Sequence, residues 1–523
     1  MFENKFDMEY IGRLFTVIIF SLLSVAGFGF SIYLFLVAKT VFIYLIAIAF
    51  LFLSIVSGFF NILASYWYYK SFDYEKYVES VKKSLKPMKV YPSVSLVMPT
   101  HDEDINMIES NVTELKKMKY PKNKLNIFVL NDSSDLKNKK AVEGICKKLN
   151  VKFIYRNSNK GYKAGALNNF LKYSKDEFVA IFDSDEHLED KNFLMETMPY
   201  FQNEKIAYVQ TEKRYSKGTF FSDSVDIFDA FFFKFIETSR AMDKTAIFSG
   251  SSGVVRRSVI DMVGGFPEVA IEDTFFSLES DLKGYMGFYL PKIYARGKPI
   301  DTFSKLVKQQ WRYNFGDTQF IAFFFKKKEL KKKSWFPKVN YMAHGFGLNY
   351  LSVVLIFFTI LSTAIVFSSL PFAHINLTIF SITHLSGLEI AELLGLFAFL
   401  LSMFAPAILT KMYFKSFKKG VMVFLLNYAL AFVRTKAALA AVFGDKKFKW
   451  ISSSSKAAAA SPEKKKGLLY SISRTKVEVA FVVLLVFLGL LALIRFNNIA
   501  GGIWLLWYGG MYSLATVFFY KYG

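Results

Sequence analysis

Two long apolar stretches, roughly Leu14–Val37 and Val41–Trp67, follow one another near the start of the chain with only a short break between them. Each is long enough to cross a hydrocarbon layer about 30 Å thick. Inside such a layer the backbone must satisfy its own hydrogen bonds, so each stretch is expected to be a helix. The pair is expected to form a hairpin that returns the chain to its starting side. No small-residue cleavage site precedes the second stretch, so the pair does not read as a removable signal. Further stretches of spanning length stand at about Gly345–Leu370, Leu388–Leu409, Val477–Ile494 and Ile499–Phe519.

Composition agrees with a polytopic α-helical membrane protein. Hydrophobic residues make up 53% of the chain and aromatics 18%, and the mean hydropathy is +0.27. A soluble surface needs more polar area than that leaves. A formal net charge of +23 would ordinarily raise nucleic acid as a partner. Here Lys and Arg gather beside the apolar stretches, as the positive-inside rule requires, so the expected partners are membrane lipids and not nucleic acid. Pro371–Gly387 carries no Lys, Arg, Asp or Glu, whereas Lys411–Lys476 is strongly basic. Placing both termini, the basic segment and the middle of the chain in the cytosol satisfies the bias throughout. Gly420–Gly444 is apolar enough to cross but holds Asn427, Arg434 and Lys436. Charges in lipid are costly, so an interfacial amphipathic helix is expected there. The single cysteine, Cys146, excludes an internal disulfide framework and a cysteine-based zinc site.

Between about Lys70 and Lys333 the texture changes. Short apolar runs at Val94–Met98, Ile127–Leu130, Phe153–Tyr155 and Phe178–Phe182 alternate with Lys/Glu-rich stretches of helical length. Strands spaced by helices indicate a parallel α/β sheet. Phe303–Phe325 mixes aromatics with Lys, Gln and Arg and suits a helix lying at the membrane surface. The basic run Lys326–Lys333 marks an edge facing anionic lipid. The expected segments are 1–69, a membrane hairpin; 70–302, the α/β domain; 303–335, the interfacial helix and basic edge; 336–411, a pair of spans; 412–475, an interfacial helix and loop; and 476–523, a second hairpin.

Within the α/β region the second strand ends in Asn131-Asp132-Ser133-Ser134-Asp135, and strand ends are where such sheets bind nucleotides. Asn159-Lys160-Gly161-Tyr162-Lys163-Ala164-Gly165 sets glycines and lysines before a helix, a loop that suits a diphosphate. The fourth strand delivers Asp183-Ser184-Asp185, two hard carboxylates suited to Mg²⁺ or Mn²⁺. Gly250-Ser251-Ser252-Gly253, Gly264-Gly265-Phe266 and Ile271-Glu272-Asp273-Thr274 follow, and then Gln309-Gln310-Trp311-Arg312-Tyr313. Each motif alone has a plain structural explanation, such as a helix cap or an acidic turn.

In this order, over roughly residues 90–320, the set resembles the processive family 2 glycosyltransferases, which include cellulose, hyaluronan, chitin and plant mannan and glucomannan synthases. The resemblance implies a cytosolic domain of the GT-A, Rossmann-like kind set between membrane helices. It also implies roles. Asp132 would contact the nucleotide base, Lys163 the phosphates, and Asp183 would support nucleotide binding. Asp185 would ligate the divalent metal, Mg²⁺ or Mn²⁺, and Asp273 would be the general base beside Glu272. Gln309 and Arg312 would line the donor diphosphate and acceptor mouth, with Glu272, Trp311 and Tyr313 toward the acceptor. Tyr313 stands where the family usually has Trp, which bears on acceptor identity. Phe448-Lys449-Trp450-Ile451-Ser452 falls where the family carries a gating loop. The implied donor is a nucleotide sugar, with UDP-glucose, UDP-N-acetylglucosamine and GDP-mannose all fitting, and the acceptor a growing glycan or a lipid. Two other readings remain open: single addition to a lipid acceptor, and a transporter with a regulatory cytosolic domain.

Overall fold

The computed structural model describes residues 3–368, 407–444 and 467–523. Almost all of the expected span at Leu388–Leu409, the Pro371–Gly387 segment and the Phe448–Ser452 motif lie outside these residues.

Helices α1 (Glu3–Val37) and α2 (Val41–Ser71) form the expected hairpin. Thr40 starts the second by accepting a hydrogen bond from Ile43 N at 3.3 Å, which satisfies one of the orphan donors of a helix start. The hydroxyls of Ser31 and Ser54 meet at 2.8 Å, and Asn61 reaches Ser24 at 3.2 Å. These pairings run in opposite directions along the two helices, so the helices are antiparallel. Large apolar side chains such as Phe52 and Ile62 face outward, as a lipid-facing surface requires.

The middle of the chain folds around a seven-stranded sheet in the order β3-β2-β1-β4-β8-β6-β9. The strands are β1 (Val94–Thr100), β2 (Leu125–Asn131), β3 (Lys152–Tyr155), β4 (Phe178–Ile181), β6 (Ile206–Thr211), β8 (Gly253–Arg256) and β9 (Met286–Leu290). A small second sheet pairs β5 (Glu186–Leu188), β10 (Ala295–Gly297) and β7 (Arg214–Tyr215) in that order. The first four strands run parallel, with Thr100 opposite Asn131 and Val97 opposite Ile181. The expectation of a fully parallel sheet does not hold, because β8 enters antiparallel between β4 and β6. That strand is four residues long and buried on both faces, so it has no alternation by which to be read.

Helix α3 (Tyr162–Phe170) packs on one face of this sheet and α4 (Glu272–Leu282) opens beside its edge. Helix α5 (Phe303–Lys326) then joins the two halves of the molecule. It buries Phe303, Leu306, Gln310, Phe320 and Phe324 at helical spacing. Phe303 and Leu306 pack on Leu426, Leu430 and Phe518, whereas Phe320 and Phe324 pack on Phe275, Leu278 and Tyr341. The same buried stripe therefore meets the apolar bundle at the start of the helix and the α/β domain toward its end.

Helices α6 (Trp335–Val366), α7 (Phe417–Phe443), α8 (Lys476–Ile494) and α9 (Ile499–Tyr522) follow, with a short helix, Leu468–Arg474, before α8. By length and composition, five helices among the described residues can cross a membrane: Gly12–Val37, α2, α7, α8 and Gly501–Tyr522. The two parts of α6, bent by 61° at Gly347, qualify together as a sixth. In α7 the polar groups that argued for an interfacial position face protein. Arg434 is fully buried and bonded to Gln310 and Asn427, and Lys436 pairs with Glu478 at 2.9 Å. The cost of charge in lipid thus does not bear on this helix.

Candidate active site

The carboxyl ends of the central strands gather most of the residues singled out from the sequence. Asp132, just past β2, is buried and accepts from Arg156 Nη2 at 2.6 Å, with His101 Nδ1 3.3 Å from its other oxygen. Its hydrogen bond outweighs burial and pushes the His101 imidazole up to about 9. Arg156 also donates to the carbonyls of Lys160 and Tyr162, and so shapes the loop before α3. A Cβ at Gly165 would collide with the Lys160 carbonyl and the Arg156 guanidinium. That glycine is required by the packing of the loop.

Lys163 lies in the first turn of α3 and donates to Asp183 Oδ1. Asp183 stands two residues beyond β4, and its amide donates to Glu186 Oε2 at 3.0 Å. Lys213, two residues beyond β6, sits 3.8 Å from Asp183 Oδ2 and 3.5 Å from Glu186 Oε1. It also donates to Ser251 Oγ at 2.5 Å, and Ser251 in turn donates to Glu186 at 2.7 Å. The acidic turn is therefore braced from three sides. Burial opposes ionisation of Asp183, but the ammonium groups of Lys163 and Lys213 outweigh it and hold the carboxyl below the usual carboxylate range. Asp185 goes the other way: burial, then the charges of Asp183 and Glu186, push it up.

Asp273 enters from α4, with Oδ1 accepting from Thr274 N at 2.8 Å. Its other oxygen faces Gly250, whose φ is +80°. A Cβ there would stand 2.9 Å from Asp273 Oδ2 and 3.5 Å from Lys163 Nζ. The Glu-Asp pair and the Asp-x-Asp turn thus meet across one glycine. Burial raises both Glu272 and Asp273, and Asp273 raises Glu272 further.

Helix α5 closes the site. Gln309 Nε2 donates to the Tyr215 hydroxyl at 2.9 Å and to the Tyr313 hydroxyl at 3.3 Å, and Tyr215 donates to Asp229 at 2.9 Å. The Arg312 guanidinium lies 5.2 Å from the Tyr313 ring centre, and the charges of Glu272 and Asp273 act on it. Trp311 does not join this group. It packs among Ala437, Ala440 and Ala441 of α7, on the far side of the helix.

Two groups escaped the sequence reading. Lys213 follows a strand buried along its whole length, which shows no alternation. Asp317, one turn beyond Tyr313, is pushed well above the usual range by burial and by Asp273; only the phase of the helix points to it. Among the described residues no cluster of three or more His, Cys, Asp or Glu side chains could hold a metal by itself.

Residues 95–264 match the family described as Glycosyl transferase family 2. This segment is a family 2 glycosyltransferase domain. It has the GT-A-like arrangement of a central sheet with the acidic groups at its strand ends. Relatives of the glycosyltransferase domain include a probable glucomannan 4-beta-mannosyltransferase 7 of Oryza sativa subsp. japonica. It is 27% identical over 239 residues, or 43% of this chain and 40% of that protein. The cellulose synthase catalytic subunit of Pseudomonas fluorescens (strain SBW25) is 28% identical over 237 residues, or 44% of this chain and 31% of that one. The chain thus spans well under half the length of these curated relatives. A solved mannosyltransferase of Pyrobaculum calidifontis, in complex with GDP-Man and Mn²⁺, aligns over 73% of this chain and 97% of its own. Its identity is 17% and its TM-score 0.48.

Proposed function

We propose that the chain transfers a hexose from a nucleotide sugar onto a growing β-linked polysaccharide, with inversion at the anomeric carbon. The observation that carries this reading is the meeting of Asp273 with Lys163 across Gly250, beside the Asp183-Ser184-Asp185 turn. Asp273 takes the proton of the acceptor hydroxyl as that oxygen attacks the anomeric carbon. The nucleoside diphosphate leaves with the bonding electrons, and Lys163 and Arg312 face its charge. Asp132 with Arg156 forms the base end of the donor site, and Asp183 holds Lys163 in place. Gln309 and Tyr313 form the acceptor wall, together with Glu272.

The acidic turn fits a divalent cation. Asp183, Asp185 and Glu186 set three carboxyls against the two ammonium groups of Lys163 and Lys213, and Asp183 Oδ1 is taken by Lys163. Asp185 is left as the ligand. One or two carboxylates with substrate phosphates are what Mg²⁺ or Mn²⁺ uses when no all-protein cage exists. When bound, such an ion neutralises the departing diphosphate.

The basic flanks and apolar helices support a multi-pass position with the glycosyltransferase domain on the cytosolic side. They also support the segment boundaries read from the sequence, except that α7, within 412–475, has the length and composition of a span. The names of the relatives, glucomannan mannosyltransferase and cellulose synthase, support a polymer over a mono-glycosylated lipid. The test is purified protein offered UDP-glucose, UDP-N-acetylglucosamine and GDP-mannose, with EDTA and then with Mg²⁺ or Mn²⁺ restored. Metal-restored turnover of one donor into a long product is the expected result. Turnover of none of the three, or a product of one sugar on lipid, would sink the reading.

A further inference from the structure

Behind α5, on the face away from Gln309 and Tyr313, lies a cavity of about 160 Å³. Val307 and Trp311 of α5, Val433 of α7 and Ala515 and Phe519 of α9 give it apolar walls. Ala429 and Thr475 also line it, together with three charged side chains, Lys436, Arg474 and Glu478. The cavity adjoins the first turn of α8 and the last turns of α9. At this end Phe221 of the glycosyltransferase domain packs on Phe518 and stacks on Tyr522. This is the depth at which a spanning bundle meets headgroups.

The charges there do not balance. Glu478 is spent on Lys436 at 2.9 Å, and Lys305 on Asp301 at 2.7 Å. Arg474 lines the cavity, and its charge acts on Lys308 of α5; neither cation has a carboxylate partner among the described residues. Burial, Arg474 and Lys305 hold the Lys308 ammonium below its usual range. Glu478 itself is 2% exposed, and its Oε2 lacks a partner among the described residues. Leaving a buried carboxylate oxygen without a donor is costly. Outside the cavity, Val477, Leu484 and Phe487 of α8 are exposed and apolar.

We propose that this cavity holds the headgroup of an anionic membrane lipid. The phosphate meets Arg474 and Lys436, with the charge of Lys308 acting from nearby, a headgroup hydroxyl donates to Glu478 Oε2, and the acyl chains run along the outer face of α8. Basic pockets between spanning helices near a cytosolic surface suit such headgroups. A soluble phosphate would meet the cations but leave the apolar walls and the outer track unused. The site does not depend on the glycosyl-transfer reading.

Trp311 supplies the test. The full chain is placed in phosphatidylcholine nanodiscs containing a minor fraction of phosphatidylglycerol or phosphatidylcholine with brominated chains. Trp311 quenching is taken as the difference between wild type and Trp311→Phe. Quenching by the brominated phosphatidylglycerol is expected to be at least about fivefold stronger. Arg474→Gln with Lys308→Gln should bring it down to the phosphatidylcholine level. Equal quenching by the two lipids in wild type overturns the proposal, even if the double variant fails to fold. Loss of the preference on adding soluble glycerol phosphate also overturns it, because the site would then belong to a soluble anion.

Discussion

Arg434 donates its Nε to Gln310 Oε1 at 3.0 Å, joining an apolar helix of spanning length to the helix that closes the candidate active site. Its Nη1 reaches Asn427 Oδ1 at 3.2 Å, and its guanidinium lies 5.2 Å from the Phe228 ring centre. The buried arginine thus reaches three elements at once. Gln309, the next residue along α5 from Gln310, lies in the proposed acceptor wall. Placement of that wall therefore depends on a side chain in the bundle.

Arg434→Ala should be severe. It leaves two amide oxygens without donors and opens a void, together on the order of 2–4 kcal/mol. Thermal unfolding in detergent should show the loss, and donor turnover should fall with it. Arg434→Lys, which keeps one donor, should recover part of both. Unchanged unfolding in the alanine variant would show that the helices are held together elsewhere.

Gly250 separates Asp273 from Lys163, so Gly250→Ala acts on the site directly. The positive φ costs about 1–2 kcal/mol for any residue with a Cβ. The added carbon would also stand 2.9 Å from Asp273 Oδ2 and displace that carboxylate, the proposed base. Turnover is expected to fall by roughly tenfold or more while donor binding, read by calorimetry, persists. Full activity in this variant would place the reacting carboxylate elsewhere.

Asp273 should set the acid limb of the pH profile. A general base works only when ionised, and burial raises this carboxyl above its ordinary range. Transfer is therefore expected to rise with pH through a midpoint above the ~3.9 of a free aspartate. Asp273→Asn should lower turnover by about 10²–10⁴ and leave no limb from this group. Initial rates across pH at saturating donor measure both.

What the sequence could tell followed the kind of signal each element carries. The spanning stretches, the first four strands and the acidic motifs were legible because apolar runs and carboxylates at strand ends need no tertiary context. β8 and Lys213 were not, because strands buried on both faces show no alternation. The motif alone groups Trp311 with Tyr313. Two positions apart on a helix lie on opposite faces, and the structure sends Trp311 toward α7. Gly165 illustrates a different limit. In the loop expected to bind phosphate, this position is glycine because Arg156 and the Lys160 carbonyl fill the space a side chain would need.

Glu237 gives a prediction independent of catalysis. Its Oε1 accepts from Ile247 N at 2.7 Å, while Oε2 is buried without a partner among the described residues. Burial, only partly opposed by Arg240, pushes the carboxyl from 4.5 up to about 8. The unfolded chain loses this proton first, so between pH 4.5 and about 8 the folded state holds a proton that the unfolded state lacks. Stability must then fall as pH rises through that window, by up to about 1.4 kcal/mol per unit, and level off above it. Glu237→Gln keeps an acceptor for Ile247 and removes the ionisation. Melting temperatures of the two proteins should agree at the acid end and separate toward pH 8, with the glutamine variant the more stable. Parallel curves across the whole range would mean that Glu237 titrates as an ordinary carboxylate.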